Sequence, residues 1–157
     1  NTNALDLERF MLREFLRAIA IQSGNETLNI EFLNGAEELI IEADKRRLAR
    51  VMNNLLQNAE NYAGGATRLT VNQIVRDIEI SVEDHGPGIP EQERNTIFER
   101  FARGAEGGRR GSGTGTGLGL SLVAEHVKLH GGDVLVRGHK DGQAGSVFSI
   151  TLPEVVR

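Results

Sequence analysis

The stretch TRLTVNQIVRDIEISVEDHGPGIP, Thr67–Pro90, decides the fold. Thr67 to Val75 and Asp77 to Asp84 read as two strands with a tight reversal between them. In the second, Ile78, Ile80 and Val82 alternate with polar residues and share one face, and Asp84 continues the same parity. Two strands in immediate succession imply antiparallel neighbours, whereas a doubly wound sheet alternates strand with helix. A loop, His85 to Pro90, follows.

Upstream, Asp44 is placed to cap a helix running roughly from Lys45 to Tyr62. Its apolar set, Leu48, Val51, Met52, Leu55, Leu56 and Ala59, follows the helical period, and Gly64-Gly65 ends it. Earlier still, Leu28, Ile30 and Phe32 alternate with polar residues, Asn34-Gly35 signals a tight turn, and Leu39 to Ile41 makes a partner strand. That pattern predicts a hairpin. Asp6 to Ala20 predicts a helix with Leu7, Phe10, Met11, Phe15, Ala18 and Ile19 on one face.

Downstream, Glu91 to Phe101 predicts a short helix anchored by Ile97, Phe98 and Phe101. A glycine-rich segment leads into a helix from about Thr116 to His130, stopped by Gly131-Gly132. Val134 and Val136 open a strand, His139 to Gly145 turns, and Ser146 to Leu152 closes the chain's regular structure. The expected fold is α+β: a two-layer sandwich, with a mixed, mostly antiparallel sheet of about five strands covered on one face by about three helices. No internal repeat or linker divides the chain, so residues 1–157 are expected to form one domain.

Composition narrows the function. A net charge of −4 argues against nucleic acid as main partner, since phosphate backbones require clustered basic surface. The absence of cysteine rules out disulfides and thiolate metal sites. No apolar run is long enough to span a bilayer, so no direct membrane contact is expected.

Three features carry chemistry. Asn54, Asn58 and Asn61 stack along one flank of the long helix, neither in the core nor opposite it. Asparagine prefers caps and turns, so three in mid-helix suggest amides aimed into a cleft, where one carbonyl ligates Mg²⁺; a solvated helix side is the alternative. Asp84 sits at a strand end, turned toward the layer of Ile80 and Val82, where its carboxylate needs a donor such as an adenine amino group. Gly86 and Gly88 let the backbone approach a flat base; the alternative is a local turn capped by Asp84. Finally, GTGTGLGLSLV, Gly113–Val123, runs from glycines into a helix whose first N–H groups form a phosphate cradle. It lacks the lysine of a Walker A loop, and no strand leads directly into it as in a Rossmann fingerprint. Arg103, Arg109 and Arg110 lie among the glycines; a solubilised surface loop is the alternative.

Together these blocks resemble the ATP-binding module shared by histidine kinases, gyrase, mismatch-repair ATPases and the large heat-shock chaperone (the GHKL superfamily, with the Bergerat fold). Within it the chain is most similar to histidine kinase catalytic domains. NLLQNAENYA (Asn54–Ala63) resembles their asparagine box and VEDHGPGIP (Val82–Pro90) their first glycine box. IFERF (Ile97–Phe101) resembles the phenylalanine box, GTGLGLSLV (Gly115–Val123) the second glycine box, and GSVFSITLP (Gly145–Pro153) the closing strand.

The resemblance implies ATP and Mg²⁺ as ligands, with Asn58 on the metal and Asp84 on the adenine amino group. Gly86 and Gly88 flank the base, with Tyr62 near the adenine or ribose. Arg103 is the implied catalytic contact to the γ-phosphate, while Gly115, Thr116, Gly117, Leu118, Gly119 and Leu120 line the phosphates. Asn54, Asn61, Ile89 and Ser146 complete the implied nucleotide site, and Phe98 and Phe101 anchor the lid's base. Two positions depart from the pattern: Asn61 replaces a common basic residue, and Ala102 replaces a common aromatic one.

Hydrolysing relatives carry a general-base glutamate where this chain has Asn54, and an amide is no general base. The implied reaction is therefore transfer of the γ-phosphate, as a protein histidine kinase. An anti-sigma-factor-type serine kinase and a nucleotide-binding scaffold are the alternatives. None of His85, His126, His130 and His139 sits in a phosphoacceptor-like segment, and His126 and His130 read as surface helix residues. The acceptor histidine is expected on a dimerisation domain of the same protein, N-terminal to Asn1 and absent here. The expected downstream partner is a response regulator, and the expected location is a cytoplasmic domain of an inner-membrane receptor kinase.

Overall fold

The computed structural model describes residues 4–99 and 119–153. The main sheet is assembled from β2 (Asn29–Leu33), β4 (Arg68–Ile74), β5 (Asp77–Asp84), β7 (Ser146–Pro153) and β6 (Asp133–Arg137), in that spatial order. β4 and β5 pair antiparallel with Val71 opposite Ile80, and β5 pairs antiparallel with β7 with Ile80 opposite Ile150. β6 and β7 form the last antiparallel pair, whereas β2 runs parallel to β4. The sheet is thus mixed and mostly antiparallel, as the adjacent strands of the sequence imply.

Alternation decides which face is covered. Ile78, Ile80 and Val82 on β5, with Phe148, Ile150 and Leu152 on β7, are all buried in one core cluster. Against them pack α1 (Leu12–Gln22), α2 (Lys45–Ala63) and α3 (Gly119–Leu129). α2 contributes Leu48, Val51, Met52, Leu55, Leu56 and Ala59, the stripe its sequence period predicts. Its start is fixed by Asp44, whose carboxylate accepts the Arg47 N–H at 3.1 Å, a cap worth about 1 kcal/mol. Gly64 closes it in the left-handed conformation, φ 75°.

Three expected elements are corrected. The segment predicted as one helix from Asp6 is split: β1 (Leu7–Met11) pairs antiparallel with β3 (Ile40–Asp44), and only then does α1 begin. Tertiary pairing overrides a helical period there. Consequently β2 and β3 are not a hairpin. Asn34 and Gly35 do turn with φ of 54° and 81°, but the chain passes through a 3₁₀ turn, Ala36–Glu38, and β3 joins β1 instead. The short helix predicted from Glu91 is two 3₁₀ turns, Glu91–Glu93 and Thr96–Phe98.

The histidines of α3 are also not on the surface. His126 is 6% exposed and His130 only 2%. The Asp44 N–H donates to His130 Nε2 at 3.0 Å, so the ring proton sits on Nδ1 and goes to the His126 carbonyl, 2.8 Å away. Arg47 Nη1 donates to His126 Nδ1 at 3.2 Å, which puts the neutral ring's proton on Nε2, a buried atom with no partner among the described residues.

Burial first, then the Arg47 charge, pushes the His126 imidazole below its ordinary value, with Arg50 and His130 adding to this and Glu125 opposing it. The folded state therefore holds His126 neutral where the unfolded chain would take a proton. Stability is full above the unfolded value near pH 6.5 and falls as pH drops toward the folded value. Denaturant midpoints measured from pH 7.5 to 5.5 are expected to decline for the native chain and to decline less for His126→Gln.

Candidate functional site

The site lies where the C-terminal half of α2, the end of β5, the start of β7 and the start of α3 meet. β5 ends in Asp84, 5% exposed, on the covered side. A carboxylate there needs donors. Its Oδ1 accepts the Gly86 N–H at 3.0 Å and the Ser146 N–H at 3.2 Å. Both bonds fall on one oxygen, and Oδ2 has no protein donor among the described residues.

Close packing around Asp84 explains the glycines. A Cβ on Gly86 would lie 2.5 Å from Ala63 Cβ and 3.0 Å from the Tyr62 carbonyl oxygen, so Gly86 brings the Asp84 loop against the end of α2. A Cβ on Gly145 would lie 2.0 Å from the Asp84 carbonyl oxygen. Gly88, φ 80°, faces the Gly145 carbonyl. Ile89 is buried, and Ser146 is 4% exposed beside Asp84 in the β5–β7 register. Tyr62 is half-buried.

Asn54, Asn58 and Asn61 are all half-buried, between the buried stripe of α2 and its exposed face. Gln57 Nε2 donates to Asn61 Oδ1 at 2.9 Å. Asn54 Oδ1 lies 3.7 Å from where a Gly119 Cβ would be, which sets the first residue of α3 beside the asparagine flank. Leu120 packs on the core, and Phe98 meets Phe148 edge-on at 6.1 Å. Arg103, Gly115, Thr116, Gly117 and Leu118, with Phe101 and Ala102, lie outside the described residues. The asparagine flank, Asp84 and the first residue of α3 thus border one region at the edge of the core.

Two contributors were not singled out from sequence. Gly145 backs directly onto Asp84, and a glycine immediately before a strand is a recognisable signal of close approach. His139 donates from Nε2 to the Asp84 carbonyl at 2.7 Å, a contact no local pattern announces.

The uncovered face of the sheet holds a separate cavity of about 460 Å³, bordered by Arg68, Glu83, Arg137 and His139 but by none of the predicted site residues. Arg68 makes a two-pronged pair with Glu83 (2.9 and 3.0 Å) and a third bond to Glu31 at 2.9 Å. Burial works to raise the Glu83 carboxyl, but the Arg68 hydrogen bonds and charge outweigh it and hold it below the ordinary range. The same bonds hold the Arg68 guanidinium protonated.

This architecture is that of histidine kinase catalytic domains. The catalytic domain of histidine kinase ThkA superposes with a TM-score of 0.79 at 28% identity, over 96% of this chain and 97% of that one. ThkA in complex with response regulator protein TrrA superposes at 0.73 and 26% identity, over 94% of this chain and 42% of that one. The model of the histidine kinase-, DNA gyrase B- and HSP90-like ATPases matches residues 43–156, and the chain belongs to that family. Among relatives, the sensor-type histidine kinase PrrB of Mycobacterium leprae is 39% identical over 68% of this chain. The signal transduction histidine-protein kinase AfsQ2 of Streptomyces coelicolor is 37% identical over 71%. The chain spans 23% and 20% of their lengths, respectively.

Gly145 and Gly142 separate two kinds of glycine. Gly142, φ 81°, has open space around it, so Gly142→Ala is expected to cost only the left-handed strain, about 1 kcal/mol. Gly145→Ala adds a clash with the Asp84 backbone and should cost at least about 2 kcal/mol more. Thermal unfolding of the two variants checks the order.

Proposed function

We propose that the chain binds Mg·ATP at the junction of α2, β5 and α3 and donates the γ-phosphate to a histidine on a separate dimerisation domain of a two-component sensor kinase. The observation that carries this reading is the Asp84 carboxylate: buried, with Oδ1 committed to two main-chain N–H groups and Oδ2 left for an external donor. An adenine amino group is a donor of that kind. Tyr62, Gly86, Gly88, Ile89 and Ser146 then border the base and ribose.

The asparagine flank fits the phosphate end. Asn58 is half-buried, and its side chain makes no hydrogen bond among the described residues, so its carbonyl is available to a hard cation. No group of three or more acidic or histidine side chains is gathered into a metal cage among the described residues. That suits Mg²⁺, which keeps waters and shares phosphate oxygens. Bound there, the ion would neutralise phosphate charge. Asn54 faces the start of α3, and Asn61 lies one turn beyond Asn58, both on the same flank. The first N–H groups of α3, from Gly119 and Leu120, suit phosphate oxygens, with Gly115, Thr116, Gly117 and Leu118 leading into them. Arg103 is the proposed γ-phosphate contact.

Asn54 cannot take a proton from water, which favours presentation of ATP over its hydrolysis. The acceptor is not one of the chain's own histidines: His126 and His130 are buried, and His139 is bound to the Asp84 carbonyl. His85, held by Thr67 and stacked on His139, lacks the setting of a phosphoacceptor. A dimerisation domain of the same protein supplies the acceptor in this reading. A response regulator receives the phosphate next, as the ThkA–TrrA complex supports. The domain works at the cytoplasmic side of an inner-membrane receptor kinase; no helix among the described residues is long and apolar enough to cross a membrane.

Calorimetric titration with Mg·ATP tests this, and millimolar ATP without detectable binding overturns it. Asp84→Asn is the informative variant. The Gly86 and Ser146 N–H groups hold an oxygen at the Oδ1 position, so the new amide NH₂ must occupy the Oδ2 position and face the adenine amino group. Donor then meets donor, and affinity should fall at least about tenfold. Asn58→Asp adds charge beside the phosphates and should weaken ATP binding and change its Mg²⁺ dependence.

A further inference from the structure

The geometry points to His139 as a positioning residue for base recognition: through the Asp84 main chain, it sets the angle at which the Asp84 carboxylate meets the nucleotide. This rests on the reading of Asp84 as the acceptor for the adenine amino group.

His139 lies in the turn between β6 and β7, outside the asparagine, glycine and phenylalanine boxes and the closing strand. Its side chain is 8% exposed. A carbonyl oxygen only accepts, so the 2.7 Å contact to the Asp84 carbonyl makes Nε2 the donor. The ring is flanked on two further sides. It stacks on His85 with centroids 4.4 Å apart and planes 11° from parallel. Its Nδ1 lies 3.8 Å from Glu83 Oε1, a carboxylate already clamped by Arg68. His85 is in turn fixed by Thr67, Nδ1 to Oγ1 at 3.1 Å.

Asp84 is therefore tied at two of its three acceptor oxygens, and Oδ2 is the third. The Gly86 and Ser146 N–H groups hold Oδ1, and His139 holds the main-chain oxygen from the opposite side of the strand. Gly145 packs against that same oxygen, leaving room for nothing larger than hydrogen. The peptide plane after Asp84 fixes the direction in which the loop Gly86–Gly88 leaves the sheet. Removing the His139 donor lets that plane tilt, and Oδ2 and Gly86 move together. A contact made on the helix-free side of the sheet thus reaches the base without touching it.

Two variants separate this from general loosening. His139→Gln keeps an N–H near the Nε2 position; His139→Leu removes it while keeping bulk. Calorimetry with Mg·ATP and with Mg·tripolyphosphate, which has no base, reads the two halves of the site. His139→Leu is expected to weaken ATP binding about tenfold, leave tripolyphosphate binding unchanged, and be largely rescued by His139→Gln. Combined with Asp84→Asn, His139→Leu should add little, because the group it positions is already disabled. Equal losses for both probes, or ATP binding equal to that of the native chain, overturn the proposal while the nucleotide reading stands. Absence of ATP binding by the native chain overturns both.

Discussion

A carboxylate buried at the end of a strand is the constraint from which the site follows. Charge taken from water requires donors, and among the described residues those that reach it at the end of β5 are main-chain N–H groups. To supply them, the chain after Asp84 must fold back on it at Gly86, and β7 must begin at Ser146. Both requirements bring backbone against backbone. Gly86 meets Ala63 and Gly145 meets the Asp84 carbonyl at distances that exclude any side chain. The glycines of this region answer to packing around one acid as much as to flexibility.

α2 satisfies two demands because its period is not an integer. Leu48, Val51, Met52, Leu55, Leu56 and Ala59 fill the core, and the asparagines fall on the flank that the stripe leaves at its border. A polar group placed there is neither desolvated nor free in water. It keeps a fixed position because the stripe beside it is packed, and it keeps its hydrogen-bonding capacity because it is not.

These relationships also explain what could be read from sequence. Elements whose pattern matches their surroundings were legible: α2, with its cap, stripe and terminal glycines; β4 and β5, joined by a short turn; and the alternation that buries Asp84 with Ile80 and Val82. Where a partner distant in sequence decides the outcome, local pattern failed. Leu7–Met11 has helical spacing but pairs with Ile40–Asp44, and that single pairing also dissolves the expected hairpin. Residue type alone puts His126 and His130 on the surface, although Val123, His126, Val127 and His130 recur at the spacing of one helical face. Their burial was in the period; the polarity of the side chain obscured it. The His139–Asp84 bond joins residues 55 apart and had no local signal at all.

Asp84 has a counterpart at the other end of α2. Asp44, the last residue of β3, caps the first turn through Oδ1, while Oδ2 meets Arg47 Nε at 3.2 Å and accepts the Asp6 N–H at 3.0 Å. Burial opposes its ionisation, but those two N–H groups and the Arg47 charge prevail and keep its carboxyl below the ordinary range. Its own N–H goes to His130 of α3. One acid thus joins the N-terminus of α2 to β1, β3 and the far end of α3. The other, through Gly86, joins the C-terminus of α2 to β5 and β7. A helix fastened at both ends cannot slide along the sheet. The height of the asparagine flank relative to Asp84 is then set by the length of α2, from Lys45 to Ala63, and not by the contacts of the asparagines themselves.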